Sequence, residues 1–154
     1  MLATEILTTD HNTVIALIDE LKDRHNNERG NRDLFRELDL AIRLHLRLEE
    51  EIFYPALEAD PEFKGLMEES VPEHNETRRV LDDMEAINNP AHDDFQKLLT
   101  RLRFSLRQHA EKEESDIFPR ALGVLGADRL AELGTQIDAV KADAAGMSRS
   151  ANMK

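Results

Sequence analysis

Apolar residues recur at helical spacing along most of this chain. In the first such stretch, from about Thr9 to Asn27, the residues Val14, Ile18 and Leu21 fall on one face, which is the period of an amphipathic α-helix. Thr9 or Asp10 is suited to cap its start, because either side chain can accept a hydrogen bond from a free backbone N–H group. The pattern predicts a first helix over this range.

Three further helices are predicted from the same pattern. The second should end near Tyr54, because Pro55 disfavours helical dihedral angles in the residue before it. Residues 58–71 are predicted to form a connection, and a third helix should begin around Pro72, since proline suits the first turn of a helix. The fourth helix is predicted to end at Phe118, directly before Pro119.

A fifth amphipathic stretch follows Gly126 and carries Leu130, Leu133 and Ile137 on one side. That side must be covered by the bundle or by a second chain, and the short connection favours the bundle. The predicted fold class is all-α, an up-down four-helix bundle with an additional C-terminal helix packing over it. Residues 1–125 would form the bundle, 126–146 the added helix of the same domain, and 147–154 a flexible tail.

A histidine–glutamate motif occurs twice in the chain. His45 and Glu49 are four residues apart, and His109 and Glu113 repeat that spacing; residues four apart share one face of a helix. Each pair is preceded at nearly the same separation by a single histidine, His11 in the first half and His74 in the second half. The duplication provides four imidazoles and two carboxylates.

The positions of these residues predict that they meet. His11 and His74 are expected in the first turns of helices one and three, and Glu49 and Glu113 near the ends of helices two and four. These points share one end of an up-down bundle. Buried imidazoles and carboxylates are costly without partners, so we interpret the set as the ligands of two metal ions.

The donor types narrow the choice of metal. Mixed nitrogen and oxygen donors suit iron, manganese, zinc or cobalt, and bridging carboxylates favour a di-iron centre. A di-zinc hydrolase would need a substrate cleft, for which a compact bundle leaves little chain. Glu50 and Glu114 flank the ligand pairs and could substitute as bridging ligands, but they are expected either to be solvated or to orient a histidine. His25 and His92 are predicted to be surface histidines.

Composition and charge exclude several classes of function. The chain has 154 residues, no cysteine and a formal net charge of −12. Nucleic acids and anionic membranes require a basic face, so neither is expected as a partner. Thiolate-bound zinc and iron–sulfur centres need cysteine. No apolar run approaches the roughly 18 residues that span a bilayer, and a cytoplasmic protein is expected.

At these motifs, from about Leu7 to Leu122, the chain resembles the hemerythrin-like, or HHE cation-binding, family. The resemblance implies a four-helix bundle that holds two non-haem iron ions with oxo or hydroxo and carboxylate bridges. The residues that match the family's metal ligands are His11, His45, Glu49, His74, His109 and Glu113.

Two positions depart from the oxygen-carrying hemerythrins. Where those proteins have a second histidine, one turn after His74, this chain has Arg78, which cannot bind a metal. Tyr54, the single tyrosine, is a further candidate ligand, but on a regular helix it would point away from Glu49. It would reach the metal only if the helix unwinds before Pro55; otherwise it is a packed aromatic residue.

Tyr54 and the fifth helix make the chain look most like the mycobacterial hemerythrin-like proteins. The activity that this implies is catalase-like breakdown of hydrogen peroxide (H2O2) by a protein that reacts with dioxygen (O2) or peroxide. The alternatives are a binding or sensing protein for O2, nitric oxide (NO) or iron, and an iron storage or delivery protein. The expected partners are these small molecules, and the protein is expected to be a monomer or a weak dimer.

Overall fold

The computed structural model describes the backbone of residues 1–23 and 28–152 and the side chains of residues 1–22 and 29–147. These ranges are helical apart from short connections and contain no strand. The helices are α1 (Ala3–Asp23), α2 (Glu28–Leu48), α3 (Tyr54–Glu58), α4 (Leu66–Ile87), α5 (Asp93–Lys112) and α6 (Phe118–Asn152). This confirms the predicted all-α fold class. The predicted end of the first helix at Asn27 lies outside the described residues.

Two apolar clusters fill the bundle formed by α1, α2, α4 and α5. One contains Val14, Leu38 and Leu102. The other contains Leu7 of α1, Leu57 of α3 and several residues of α6. Along the chain, the predicted metal ligands lie where residues of one cluster give way to residues of the other. The candidate site is therefore a polar layer enclosed by apolar packing above and below it, where water is largely excluded.

Neither the second nor the fourth predicted helix ends at its proline, which corrects the sequence prediction. A π-helical turn, Glu49–Phe53, joins α2 to α3, and Glu113–Ile117 joins α5 to α6. In a regular helix the ring of Pro55 would clash with the carbonyl group four residues before it. In the wider turn, the N–H of Tyr54 bonds to the carbonyl of Glu49, five residues back. The helix can therefore continue through the proline.

The starts of α1 and α4 also differ from the prediction. The side chains proposed as caps of α1 are used elsewhere: the Thr9 hydroxyl bonds to the Glu5 carbonyl within the helix, and Asp10 contacts other helices. Helix α4 begins at Leu66 because the Glu58 carboxylate accepts a hydrogen bond from the N–H of Met67 in its first turn. Pro72 consequently lies inside α4. Both histidines proposed to lie in first turns are about two turns into their helices.

Helix α6 is interrupted at Gly126, whose φ of 79° and ψ of 164° are non-helical. Glycine adopts a positive φ without steric cost, so this residue can redirect the chain. Beyond it, Leu130, Leu133 and Ile137 are buried against the cluster at the start of α1, which confirms the additional helix packed over the bundle. Within the described ranges, no helix combines the length and apolar character needed to cross a membrane.

Candidate metal centre

All the predicted metal ligands meet in the polar layer, and four helices supply them. His11 comes from α1, His45 from α2, His74 from α4 and His109 from α5, while Glu49 and Glu113 are the first residues of the two π turns. Donor atoms of five of these residues lie within 4.8 Å of one another, and His74 approaches the same group through Glu49. The five are His11, His45, Glu49, His109 and Glu113.

The two carboxylates stand between the imidazoles. Oε1 of Glu113 lies 3.0 Å from Nε2 of His11 and 2.8 Å from Nε2 of His109. Oε1 of Glu49 lies 3.0 Å from Nε2 of His109 and within 3.5 Å of Nε2 of His45 and of His74. Each carboxylate thus has imidazole nitrogens around one of its oxygens, so carboxylate and imidazole donors lie close enough together to share a metal ion.

Three of the histidines are fixed by a carboxylate on the opposite ring nitrogen. Nδ1 of His11 lies 2.8 Å from Glu114, and Nδ1 of His74 lies 2.6 Å from Glu50. Both flanking acids thus contact a histidine, which is one of the roles predicted for them. Nδ1 of His45 lies 3.1 Å from Asp10, a partner that the sequence did not indicate. A proton held on Nδ1 by such a carboxylate leaves the Nε2 lone pair directed into the cluster.

Two of the inward nitrogen atoms have no hydrogen-bond partner among the described residues. They are Nε2 of His45 and Nε2 of His74, both buried. A buried polar atom without a partner costs on the order of 1–3 kcal/mol. A cation bound between the imidazoles and the carboxylates would satisfy both atoms, so the residues present fit a metal-binding site.

The electrostatics of the metal-free cluster show how strongly it favours positive charge. Burial lowers the pKa of His109, but the nearby charges of Glu113 and Glu49 outweigh burial and raise that pKa well above its usual value. Burial raises the pKa of Glu49, yet the imidazoles of His45 and His109 hold it well below its usual value. Protons on the imidazoles therefore balance the carboxylates, and metal ions would displace those protons.

Tyr54 points into the cluster. From the sequence this was expected only if the helix unwinds before Pro55, and the π turn Glu49–Phe53 is such a departure from a regular helix. On a regular helix, Tyr54 would be rotated by about 140° from Glu49. In the π turn the two residues are joined by a backbone hydrogen bond and share a face. The Tyr54 hydroxyl donates to Oε2 of Glu113 at 3.0 Å and is fully buried. Burial and the two carboxylates raise the pKa of this phenol.

Arg78 lies beside the cluster but does not take the place of a ligand. Its Nη1 atom is 2.9 Å from Oε2 of Glu50, the carboxylate that contacts His74. His92 is exposed, as predicted, and its Nδ1 accepts a hydrogen bond from the N–H of Asp94 at the start of α5. His25 lies outside the described residues.

A cavity of about 360 Å³ between α4 and α5 leads to the cluster. Its lining includes His74 and His109 next to the apolar side chains of Val80 and Leu102. Thr77 and Ser105 also line the cavity. A molecule of liquid water occupies about 30 Å³, so a small neutral molecule has ample room to reach the imidazoles from this side.

Comparison with known proteins yields one family and two similar proteins. The family model described as Hemerythrin HHE cation binding domain matches residues 2–121. The fold is similar to the crystal structure of a hemerythrin HHE cation binding domain-containing protein from Mycobacterium kansasii, with a TM-score of 0.81, 24% identity and coverage of 97% of this chain and 91% of that one. This chain is also 26% identical, over 89% of its length, to a DNA nickase from Nostoc sp.. The matched region makes up only 38% of that relative's length.

Proposed function

Because this chain belongs to the hemerythrin HHE cation-binding domain family, we propose that its polar layer holds two non-haem iron ions and that the protein breaks down hydrogen peroxide. The proposed ligands are His11, His45, Glu49, His74, His109 and Glu113, with Tyr54 as a further oxygen donor. The observation that carries the proposal is the pair of buried, unpartnered Nε2 atoms, of His45 and His74, that face the Glu49 carboxylate.

The donor set supports peroxide chemistry over reversible oxygen carriage. Two bound iron ions would supply the two-electron redox couple that disproportionation of hydrogen peroxide to water and dioxygen requires. Arg78 stands where the oxygen carriers have an additional imidazole, and Tyr54 contributes a hard oxygen atom instead. A ligand set with fewer nitrogen and more oxygen donors favours the ferric state, so an O2 adduct of the ferrous protein should be short-lived.

The residues around the donors have separate tasks in this proposal. Glu50, Glu114 and Asp10 orient three imidazoles through Nδ1, and the two apolar clusters keep bulk water away from the donors. Without metal, the Tyr54 hydroxyl donates a hydrogen bond to Oε2 of Glu113 at 3.0 Å; as an iron ligand, Tyr54 would give up this proton. The cavity beside His74 and His109 gives a neutral peroxide a route to the centre.

The test is to load metal-free protein with ferrous iron, count the bound iron and measure oxygen evolution from hydrogen peroxide. We expect two iron ions per chain and rapid evolution of O2. His74→Ala should lower both values, while His92→Ala, at an exposed histidine, should lower neither. Protein with two irons that evolves no O2, or that forms a long-lived O2 adduct, would overturn the catalase-like activity in favour of binding or sensing.

A further inference from the structure

The C-terminal part of α6 reaches the polar layer through one side chain. Gly134 packs against the backbone of Met1 and Ala3, and Lys141, seven residues later, contacts Asp10, which is seven residues after Ala3. Equal steps along both helices mean that this part of α6 runs parallel to α1. Leu133, next to the first contact, and Ile137, between the two contacts, are buried in the apolar cluster, so the position of Lys141 is fixed by packing.

Asp10 connects Lys141 to one of the proposed ligands. Its Oδ1 atom accepts a hydrogen bond from the ammonium group of Lys141, and its Oδ2 atom lies 3.1 Å from Nδ1 of His45. The Asp10 side chain is 17% exposed, so solvent competes only weakly for its oxygens. A chain of contacts therefore runs from the added helix to an imidazole whose Nε2 is buried and unpartnered.

We propose that Lys141 is a positioning residue of the metal centre and acts on His45 through Asp10. This inference rests on the proposed function, since it assumes that His45 binds a metal. With one carboxylate oxygen held by the ammonium group, the other stays on Nδ1 of His45. The proton then remains on Nδ1, and the Nε2 lone pair stays directed at the cation. The part of α6 after Gly126 therefore helps to orient a metal ligand.

A second set of contacts, which also runs from a cation through a carboxylate to an imidazole, lies across the bundle. Arg78 bonds to Oε2 of Glu50 at 2.9 Å, and the same oxygen lies 2.6 Å from Nδ1 of His74. Its cation comes from α4 and its carboxylate from the π turn, so its structural origin is independent of α6. Two cation–carboxylate–imidazole chains around one cluster indicate that the arrangement at Lys141 orients a ligand and is more than a surface ion pair.

The experiment measures the affinity of the full chain for cobalt(II), in competition with a chromophoric chelator. Asp10→Asn should weaken binding by about 10–100-fold, the usual effect of removing a carboxylate behind a histidine ligand. Lys141→Met, one contact further out, should weaken it by about 3–10-fold, and Lys141→Arg should restore most of the loss. Lys22→Met removes the same charge at an exposed contact with Thr100 and should leave the affinity unchanged.

A second measurement separates positioning from general destabilisation. In metal-free protein with isotope-labelled histidine, Lys141→Met should shift the ring-nitrogen signals of His45 toward the other tautomer and leave those of His74 in place. If Lys141→Met binds cobalt as tightly as Lys22→Met while Asp10→Asn is weakened, the inference about Lys141 is wrong and the proposed centre stands. If the unmodified chain binds no metal, the proposed function fails as well.

Discussion

Replacing Tyr54 with phenylalanine removes one hydroxyl group from the centre and keeps the buried ring. In the metal-free protein, Oε2 of Glu113 then loses the hydrogen bond that it accepts at 3.0 Å. A hydrogen bond to a charged group contributes about 1.5–3 kcal/mol, so we expect the free energy of unfolding to fall by about 2 kcal/mol. For a chain of this size the midpoint of thermal unfolding should fall by about 4–8 °C.

The pH dependence of the metal-free protein should change in the same variant. Burial and the charges of Glu49 and Glu113 raise the pKa of Tyr54 above that of an unfolded tyrosine, which is about 10. The folded state therefore retains a proton that the unfolded state loses. Stability from this group is complete below about pH 10 and falls as the pH rises above it. Tyr54→Phe should remove this alkaline decline.

The assay is favourable because the chain contains one tyrosine and no tryptophan. Phenolate absorbance in an alkaline titration of the metal-free protein must come from Tyr54, and we expect it to appear only as the chain unfolds. In the iron-loaded protein, a phenolate-to-iron charge-transfer band should be present and should disappear in Tyr54→Phe. An unchanged stability together with an unchanged spectrum would refute the reasoning and leave Tyr54 as a packing residue.

Three further predictions concern the supports of the centre. Gly134→Ala would place a Cβ atom 2.1 Å from the Met1 carbonyl oxygen, and the free energy of unfolding in urea should fall by about 1–3 kcal/mol. In the control Gly123→Ala, where the new Cβ has no atom within 4 Å, it should rise by up to about 1 kcal/mol. Equal effects would contradict the close approach of α6 to α1. Arg78→Met should speed extraction of iron by a chelator, because Glu50 loses the cation that holds it beside His74, and an unchanged rate would show that Arg78 does not support this ligand. A chain ending at Gly126 should also lose iron faster, and unchanged retention would argue that the part of α6 after Gly126 does not protect the centre.

Local features of the sequence were sufficient to identify the four histidines and two glutamates of the candidate centre, but not the contact of Asp10 with His45. The pairs His45–Glu49 and His109–Glu113 depend only on helical spacing, which is a property of the neighbouring chain, and their duplication indicated two matching hairpins. The start of the added helix after Gly126 was also visible, because its apolar spacing is a local pattern. These predictions needed no knowledge of which helix packs against which.

Where helices begin and end depended on contacts that are distant in sequence. Thr9 and Asp10 look like caps, but burial of Ala3 and Leu7 against α6 extends α1 past them. The start of α4 is stabilised by Glu58 from the preceding helix. Competition between local capping and tertiary packing is decided by buried apolar area, which a single stretch of sequence does not reveal.

The sequence by itself determined which donors are present and that they share helix faces, because spacing and residue type are local. The tertiary structure decided how they are completed: two π turns carry the helices through Pro55 and Pro119 and turn Tyr54 inward. It also brought Lys141 to Asp10. The physical reason is that the direction of a side chain after a widened turn, and the partner of a charge on another helix, are fixed only when the helices pack together.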